Sequence, residues 1–194
     1  MKPIVYTQAQ QHQRLLEIAE DLKLSIKKVK YHPSRNGEGM SASIYQNNKE
    51  FANVIDEGNG GMYRFDASGT IEDSPNNYWD NLKTLDGIRA HLRNFPKHVV
   101  RSEHIEHTFE TQISFEDVII ALEEQRRELI ECKKGITFKE KGGTMKMVSW
   151  KGGNLERLIK KGSKQLIQKK IDSLIEQESV ILHTDYLTKL GFEL

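Results

Sequence analysis

The chain has 194 residues, 37% of them hydrophobic and 29% charged, enough for one sizeable domain or two small ones with a buried core, which argues against disorder throughout. No apolar run is long enough to cross a bilayer, no apolar signal core follows Met1, and the single cysteine, Cys132, excludes an internal disulfide framework, so the expectation is a cytoplasmic protein with no membrane partner. The formal net charge of +1 conceals a swing: residues 101–132 carry three basic and nine acidic side chains, residues 133–170 twelve basic and two acidic.

Thr7 is placed to cap a helix reaching about Leu24, with Leu15, Ile18, Ala19 and Leu22 in one apolar stripe and Gln8, Gln10, Gln11 and Gln13 opposite. Strand patterns follow at residues 25–31, 40–45, 50–56 and 62–65. Asn47-Asn48 and Gly58-Asn59-Gly60-Gly61 are turn signals between them, because asparagine and glycine tolerate positive φ. Residues 34–39 read as a longer, flexible link. The implied unit is an antiparallel meander of three or four strands.

After a loop at residues 68–77, a second amphipathic helix is predicted over 78–94, its face made by Trp79, Leu82, Leu85, Ile88 and Leu92, with Pro96 ending it. Residues 99–113 read as a connector between sub-domains 1–98 and 114–194, with a short strand at 98–101. Ser114 with Glu116 and Asp117 opens a helix to about Cys132, carrying Val118, Ile119, Leu122 and Leu129. Residues 136–140 and 144–150 form a hairpin about Lys141-Gly142-Gly143. Asn154 caps a short helix to Lys161. A third amphipathic helix spans 163–177, with Leu166, Ile167, Ile171, Leu174 and Ile175. Residues 179–182 are strand-like, and Thr184 caps a last helix stopped by Gly191. The fold class is α+β: an antiparallel β-meander flanked by amphipathic helices, then a C-terminal helix–hairpin–helix region with a basic surface.

Three constellations bear on function. In Asp56-Glu57-Gly58-Asn59-Gly60-Gly61, glycines free backbone N–H groups to converge on an anion, yet two carboxylates precede them and no helix begins there. A structural turn is the expected role. This loop and the strands before it, with Gly39-Met40-Ser41-Ala42-Ser43-Ile44-Tyr45 and Ala52-Asn53-Val54-Ile55, resemble a small Gly-rich meander found in uncharacterised phage and mobile-element proteins. The resemblance spans residues 39–65, with Asn47-Asn48-Lys49 standing where that pattern has Asp-Gly-Lys. It implies a phage or bacterial accessory protein and brings no catalytic residues.

Histidines form the second constellation. His98, His104 and His107 cluster with Glu103, Glu106 and Glu110, and His104 with His107 would share one helical face. The His-Glu-x-x-His spacing of a zinc protease is absent, so solvated histidines and no metal are expected. The letters of a metal nuclease, Asp/Glu-x-Lys, occur at Asp21-Leu22-Lys23 and Glu131-Cys132-Lys133, both at helix ends rather than on strands.

The third is the basic stretch itself: Lys139, Lys141, Lys146, Lys151, Arg157, Lys160, Lys161 and Lys164, able to follow a phosphate backbone or an acidic protein. These observations favour a protein that acts by binding, with no cofactor, no catalytic residues, and an acidic protein surface, nucleotide or nucleic acid as partner. In a phage this would be inhibition of a host system, immunity included. The alternative is a metal-dependent nuclease or hydrolase built on Asp56 and Glu57 with a histidine of the 98–107 cluster.

Overall fold

The cap expected at Thr7 is present in a computed structural model of the chain, which describes residues 5–101, 108–141, 143–151 and 153–194. Thr7 ends β1 (Val5–Thr7) and opens α1 (Gln8–Asp21): its Oγ1 accepts from Gln10 N at 3.2 Å, and Gln10 Oε1 accepts from Thr7 N at 2.9 Å. Two amides that the first helical turn leaves unpaired are thereby satisfied.

Next comes a four-stranded antiparallel sheet of β2 (Leu24–Ser34), β3 (Gly37–Gln46), β4 (Lys49–Asp56) and β5 (Arg64–Ala67), in that spatial order. Asn47 and Asn48 sit at φ +50° and +64°, both left-handed, as a tight hairpin turn with matching twist requires. The flexible link expected at residues 34–39 is instead a hairpin. Ser34 pairs with Gly37, and only Arg35 and Asn36 join the strands. Cross-strand backbone pairing holds these residues without burying their side chains, and hydropathy patterning therefore does not register it.

Helix α2 (Pro75–Arg93) starts three residues before its expected first turn, with Pro75 where its missing N–H costs nothing. Its buried face is Asn81, Leu85, Ile88 and Leu92, whereas Trp79 is 49% exposed, which corrects the predicted stripe. Asn81 is tolerated inside because its Nδ2 donates to the Ser68 carbonyl at 3.0 Å.

The residues read as a connector contribute strands. β6 (His98–Arg101) runs parallel to β1 and antiparallel to β7 (Thr108–Thr111), giving the order β1-β6-β7. In α3 (Phe115–Lys134), Ser114 Oγ accepts from Asp117 N at 3.1 Å and Asp117 Oδ2 accepts from Ser114 N at 2.8 Å, a reciprocal cap as expected.

The chain divides into two compact units, Met1–Glu124 and Gln125–Leu194, so the division falls within α3 rather than at residues 99–113. The reason is burial. Ile113, Phe115, Val118, Ile119 and Ala121 join the core that Ile18, Ile44, Val54, Leu85 and Leu92 build in the first unit. Each such Leu or Ile side chain contributes roughly 1.5–3 kcal/mol relative to exposure.

In the second unit, β8 (Gly135–Lys139) and β9 (Met145–Ser149) form the expected hairpin. Asn154 Oδ1 accepts from Arg157 N at 3.3 Å to open α4 (Leu155–Lys160). α5 (Lys164–Glu176) buries Ile167, Ile171 and Leu174 but leaves Leu166 and Ile175 59% and 46% exposed. β10 (Val180–Ile181) pairs with β8, giving the order β10-β8-β9, and α6 (Thr184–Lys189) follows. Thr184 is the first helical residue and not the cap. His183 holds that position at φ +57°, its Nδ1 2.9 Å from Glu128 Oε1. Ile136, Phe138, Leu155, Leu187 and Phe192 complete this core. Among the described residues there are six helices, and no helix is long and apolar enough to cross a membrane.

Candidate anion-binding surface

The division into units sharpens the charge swing. Gln125–Leu194 carries fifteen lysines and arginines against nine acidic residues, and Met1–Glu124 fourteen against nineteen. The candidate lysines fall in two places. Lys139 ends β8, Lys141 lies in the turn and Lys146 is on β9, so these three gather toward the turn of the hairpin, with Lys151 just past the other end of β9. Arg157, Lys160 and Lys161 follow helical spacing along α4 and its C-cap, where positive charge suits the helix dipole, and Lys164 opens α5.

All eight are exposed. Two have acidic partners: Lys141 pairs with Glu178, and Lys146 Nζ lies 2.8 Å from Glu140 Oε1. Pairs as open as these are worth little. Lys164 Nζ stands 5.9 Å from the centre of the Phe192 ring. Among the described residues, Lys139, Lys151, Arg157, Lys160 and Lys161 have no ion pair. The carboxylates of α3 turn elsewhere, Glu124 to His12 at 3.1 Å, Glu128 to His183, and Glu131 to Lys134 one turn on. The ion pairs that α3 forms therefore leave these five cations uncompensated among the described residues.

The glycine loop is occupied by its own structure. Gly58 N donates to Asp56 Oδ1 at 2.8 Å, and Ser34 Oγ donates to the Gly58 carbonyl at 2.8 Å. Gly58 and Gly60 have φ +68° and +74°, and a Cβ on Gly58 would lie 2.6 Å from Gly39 N. Asp56 thus closes a local turn. Glu57, Asn59, Gly60 and Gly61 are nearby, with Glu57, Asn59, Gly60 and Gly61 exposed.

Of the histidines, His104 and His107 lie outside the described residues. His98, expected in solvent, is instead 2% exposed, its ring edge-on to Tyr6 at 5.4 Å, and among the described residues neither ring nitrogen has a hydrogen-bond partner. Burial first, and the Arg14 guanidinium second, hold its pKa below the ordinary 6.5. The Pro96 carbonyl and Asp117 carboxylate act weakly the other way, the carbonyl without reaching hydrogen-bond geometry. Among the described residues no three His, Cys, Asp or Glu side chains gather as a metal site would need. Cys132 is buried, and burial pushes its thiol up to about 11, which keeps it protonated and poorly nucleophilic at neutral pH.

Two features escaped the sequence. On the outer face of the four-stranded sheet, Glu50 Oε2 accepts from Lys28 Nζ and from the Tyr45 hydroxyl, each at 2.7 Å, while Lys27 Nζ lies 4.5 Å from the Tyr45 ring centre. Lys28 reaches Glu50 because a register shift between Lys27 and Lys30 puts it at φ +54°. The second feature is the exposure of Met145 and Met147 on β9, at 61% and 40%. Alternation along residues 144–150 carried that signal, but a strand pattern alone does not say which sheet edge stays open.

Compared with known proteins, the chain matches no family model, no curated protein and no solved structure.

Proposed function

We propose that this is a non-enzymatic binding protein whose basic second unit, with its C-terminal helix–hairpin–helix arrangement, engages an anionic macromolecule. An acidic protein surface is the preferred partner and a nucleotide or nucleic acid the other. The carrying observation is the set of exposed cations without acidic partners among the described residues, Lys139, Lys151, Arg157, Lys160 and Lys161, in a unit with excess positive charge. The preponderance of lysine over arginine supports contact through charge rather than base reading. The resemblance of residues 39–65 supports a phage or bacterial accessory role in a bacterial cytoplasm, in which covering an acidic surface inhibits a host system such as immunity. The nuclease reading has less support, because among the described residues no three His, Cys, Asp or Glu side chains gather around Asp56.

The test is binding of the full chain to labelled polyglutamate and to a single-stranded oligonucleotide across a range of salt concentrations. Salt-sensitive affinity for polyglutamate is expected, and no affinity for either polymer overturns the reading. Plasmid DNA incubated with the protein and Mg²⁺ should stay intact. Cleavage lost in Asp56→Ala would restore the enzyme.

A further inference from the structure

The edge of the second unit's sheet is open in a way its backbone register makes explicit. In an antiparallel ladder, pairs that exchange backbone hydrogen bonds alternate with pairs that do not. Glu140 N donates to Thr144 O at 3.0 Å, and in the same phase, two residues apart, stand Phe138 with Lys146 and Ile136 with Val148. The N–H and C=O groups of Met145, Met147 and Ser149 therefore point away from β8. Among the described residues no strand lies on that side.

The side chains on this strand match the backbone. Met145 and Met147 share the outer face, exposed at 61% and 40%. In register beside Met145 come Lys139 and then Val180, itself 61% exposed. Proteins commonly blunt such edges with bulges, prolines or several charges. β9 keeps continuous register with β8, contains no proline and carries one lysine, Lys146, with Lys141 and Lys151 flanking it.

We infer that the β9 edge docks an extended acidic segment of a partner protein, which joins the sheet as a fourth strand. The inference rests on the acidic-partner reading above and makes it specific. Charge selects the occupant. A second copy laid edge to edge would bring two sets of Lys141, Lys146 and Lys151 onto one seam, whereas an acidic strand turns the same lysines into attraction. The segment alternates apolar and acidic residues. Its apolar side chains lie beside Met145 and Met147 on one face, and its carboxylates meet Lys146 on the other, in exchange for the exposed Lys146–Glu140 pair. Main-chain bonds supply affinity and the alternation supplies specificity.

The experiment uses the full chain and a labelled peptide alternating glutamate and valine, beside polyglutamate and the same peptide N-methylated at every second amide. Met147→Pro removes an N–H that faces the open edge and no bond to β8, so the hairpin should persist. The alternating peptide is expected to bind saturably and more tightly than polyglutamate. Met147→Pro and N-methylation should each weaken it by about tenfold or more. N-methylation leaves the protein unchanged, so the comparison holds even if Met147→Pro unfolds. Equal binding of both probes, indifferent to N-methylation, overturns strand addition and leaves the acidic-partner reading intact. Binding of neither probe removes both. Self-association that Met147→Pro abolishes would make the occupant a second copy and overturn the acidic segment.

Discussion

Ser34 Oγ donates to the carbonyl oxygen of Gly58 at 2.8 Å, fastening the loop after β4 to the turn end of the β2–β3 hairpin. The glycines of this loop are consequently not equivalent. Gly58 combines left-handed φ with backbone atoms of Glu38 and Gly39 within 2.7 Å of where a Cβ would stand. Gly60 has left-handed φ in open space. Gly61 has neither constraint.

Alanine substitution should therefore rank these positions. Gly58→Ala is expected to cost roughly 2–3 kcal/mol, from backbone strain plus overpacking. Gly60→Ala should cost about 1 kcal/mol, and Gly61→Ala should stay within about 0.5 kcal/mol. Urea denaturation of the three variants measures the order. Gly61→Ala as damaging as Gly58→Ala would show that the loop is held by something other than its conformation.

His98 gives the fold an acid sensitivity near neutrality. Its folded pKa lies below the ordinary 6.5, so the unfolded chain takes up the proton more readily. The stability tied to the neutral ring is complete above pH 6.5 and is lost as pH falls from there through the folded value. His98→Phe should flatten the stability curve in that window, measured by thermal melts across pH. An unchanged slope would mean the ring is not the group responsible.

Much of this architecture is legible in the chain because local signals and tertiary packing agree. Thr7 with Gln10, Asn47-Asn48, Ser114 with Asp117, and Asn154 each specify a cap or turn through a side chain next to the backbone it serves. What stayed hidden depends on partners distant in sequence. β1 exists because β6 lies beside it, and residues 32–34 extend β2 because residues 37–39 pair with them. Trp79 lies outside the buried stripe and Asn81 within it because the Ser68 carbonyl supplies a partner. At the candidate surface, composition revealed the lysines. Which of them lack acidic partners among the described residues, and that β9 is an edge among the described strands, follow only from the assembled second unit.

Glu50 defines a second, more acidic window. The Lys28 ammonium first, then the Tyr45 hydroxyl, hold its carboxyl below the ordinary 4.5. A group depressed in this way contributes stability that is present above 4.5 and lost as pH falls through the folded value. Glu50→Gln should reduce the stability lost below pH 4.5 and leave the His98 window above it untouched. Chemical denaturation at closely spaced pH values separates the two. If the glutamine variant alters only the window nearer neutrality, the Lys28–Glu50–Tyr45 assignment is wrong.

The lysines near the α4–α5 junction should affect binding far more than folding. Lys160 lies in the last turn of α4, Lys161 is its C-cap, and Lys164 is the first residue of α5. Glutamate at the first two positions opposes the α4 dipole, while at Lys164 it favours the α5 dipole, so the effects partly cancel. The triple variant Lys160→Glu, Lys161→Glu, Lys164→Glu should change stability by no more than about 1 kcal/mol. Its affinity for a polyanion should fall steeply, because each lost contact ceases to release counterions. For a single-stranded nucleic acid, the slope of log affinity against log salt should flatten by roughly 0.7 per contact. Affinities at several salt concentrations, read beside a melting curve, measure both quantities. Unfolding of the triple variant would mean that these lysines are held by internal acidic partners and that the positive surface is not available for binding. Intact folding with an unchanged salt slope would move the anion contacts to the hairpin lysines, Lys139, Lys141, Lys146 and Lys151, and to the edge of β9 they surround.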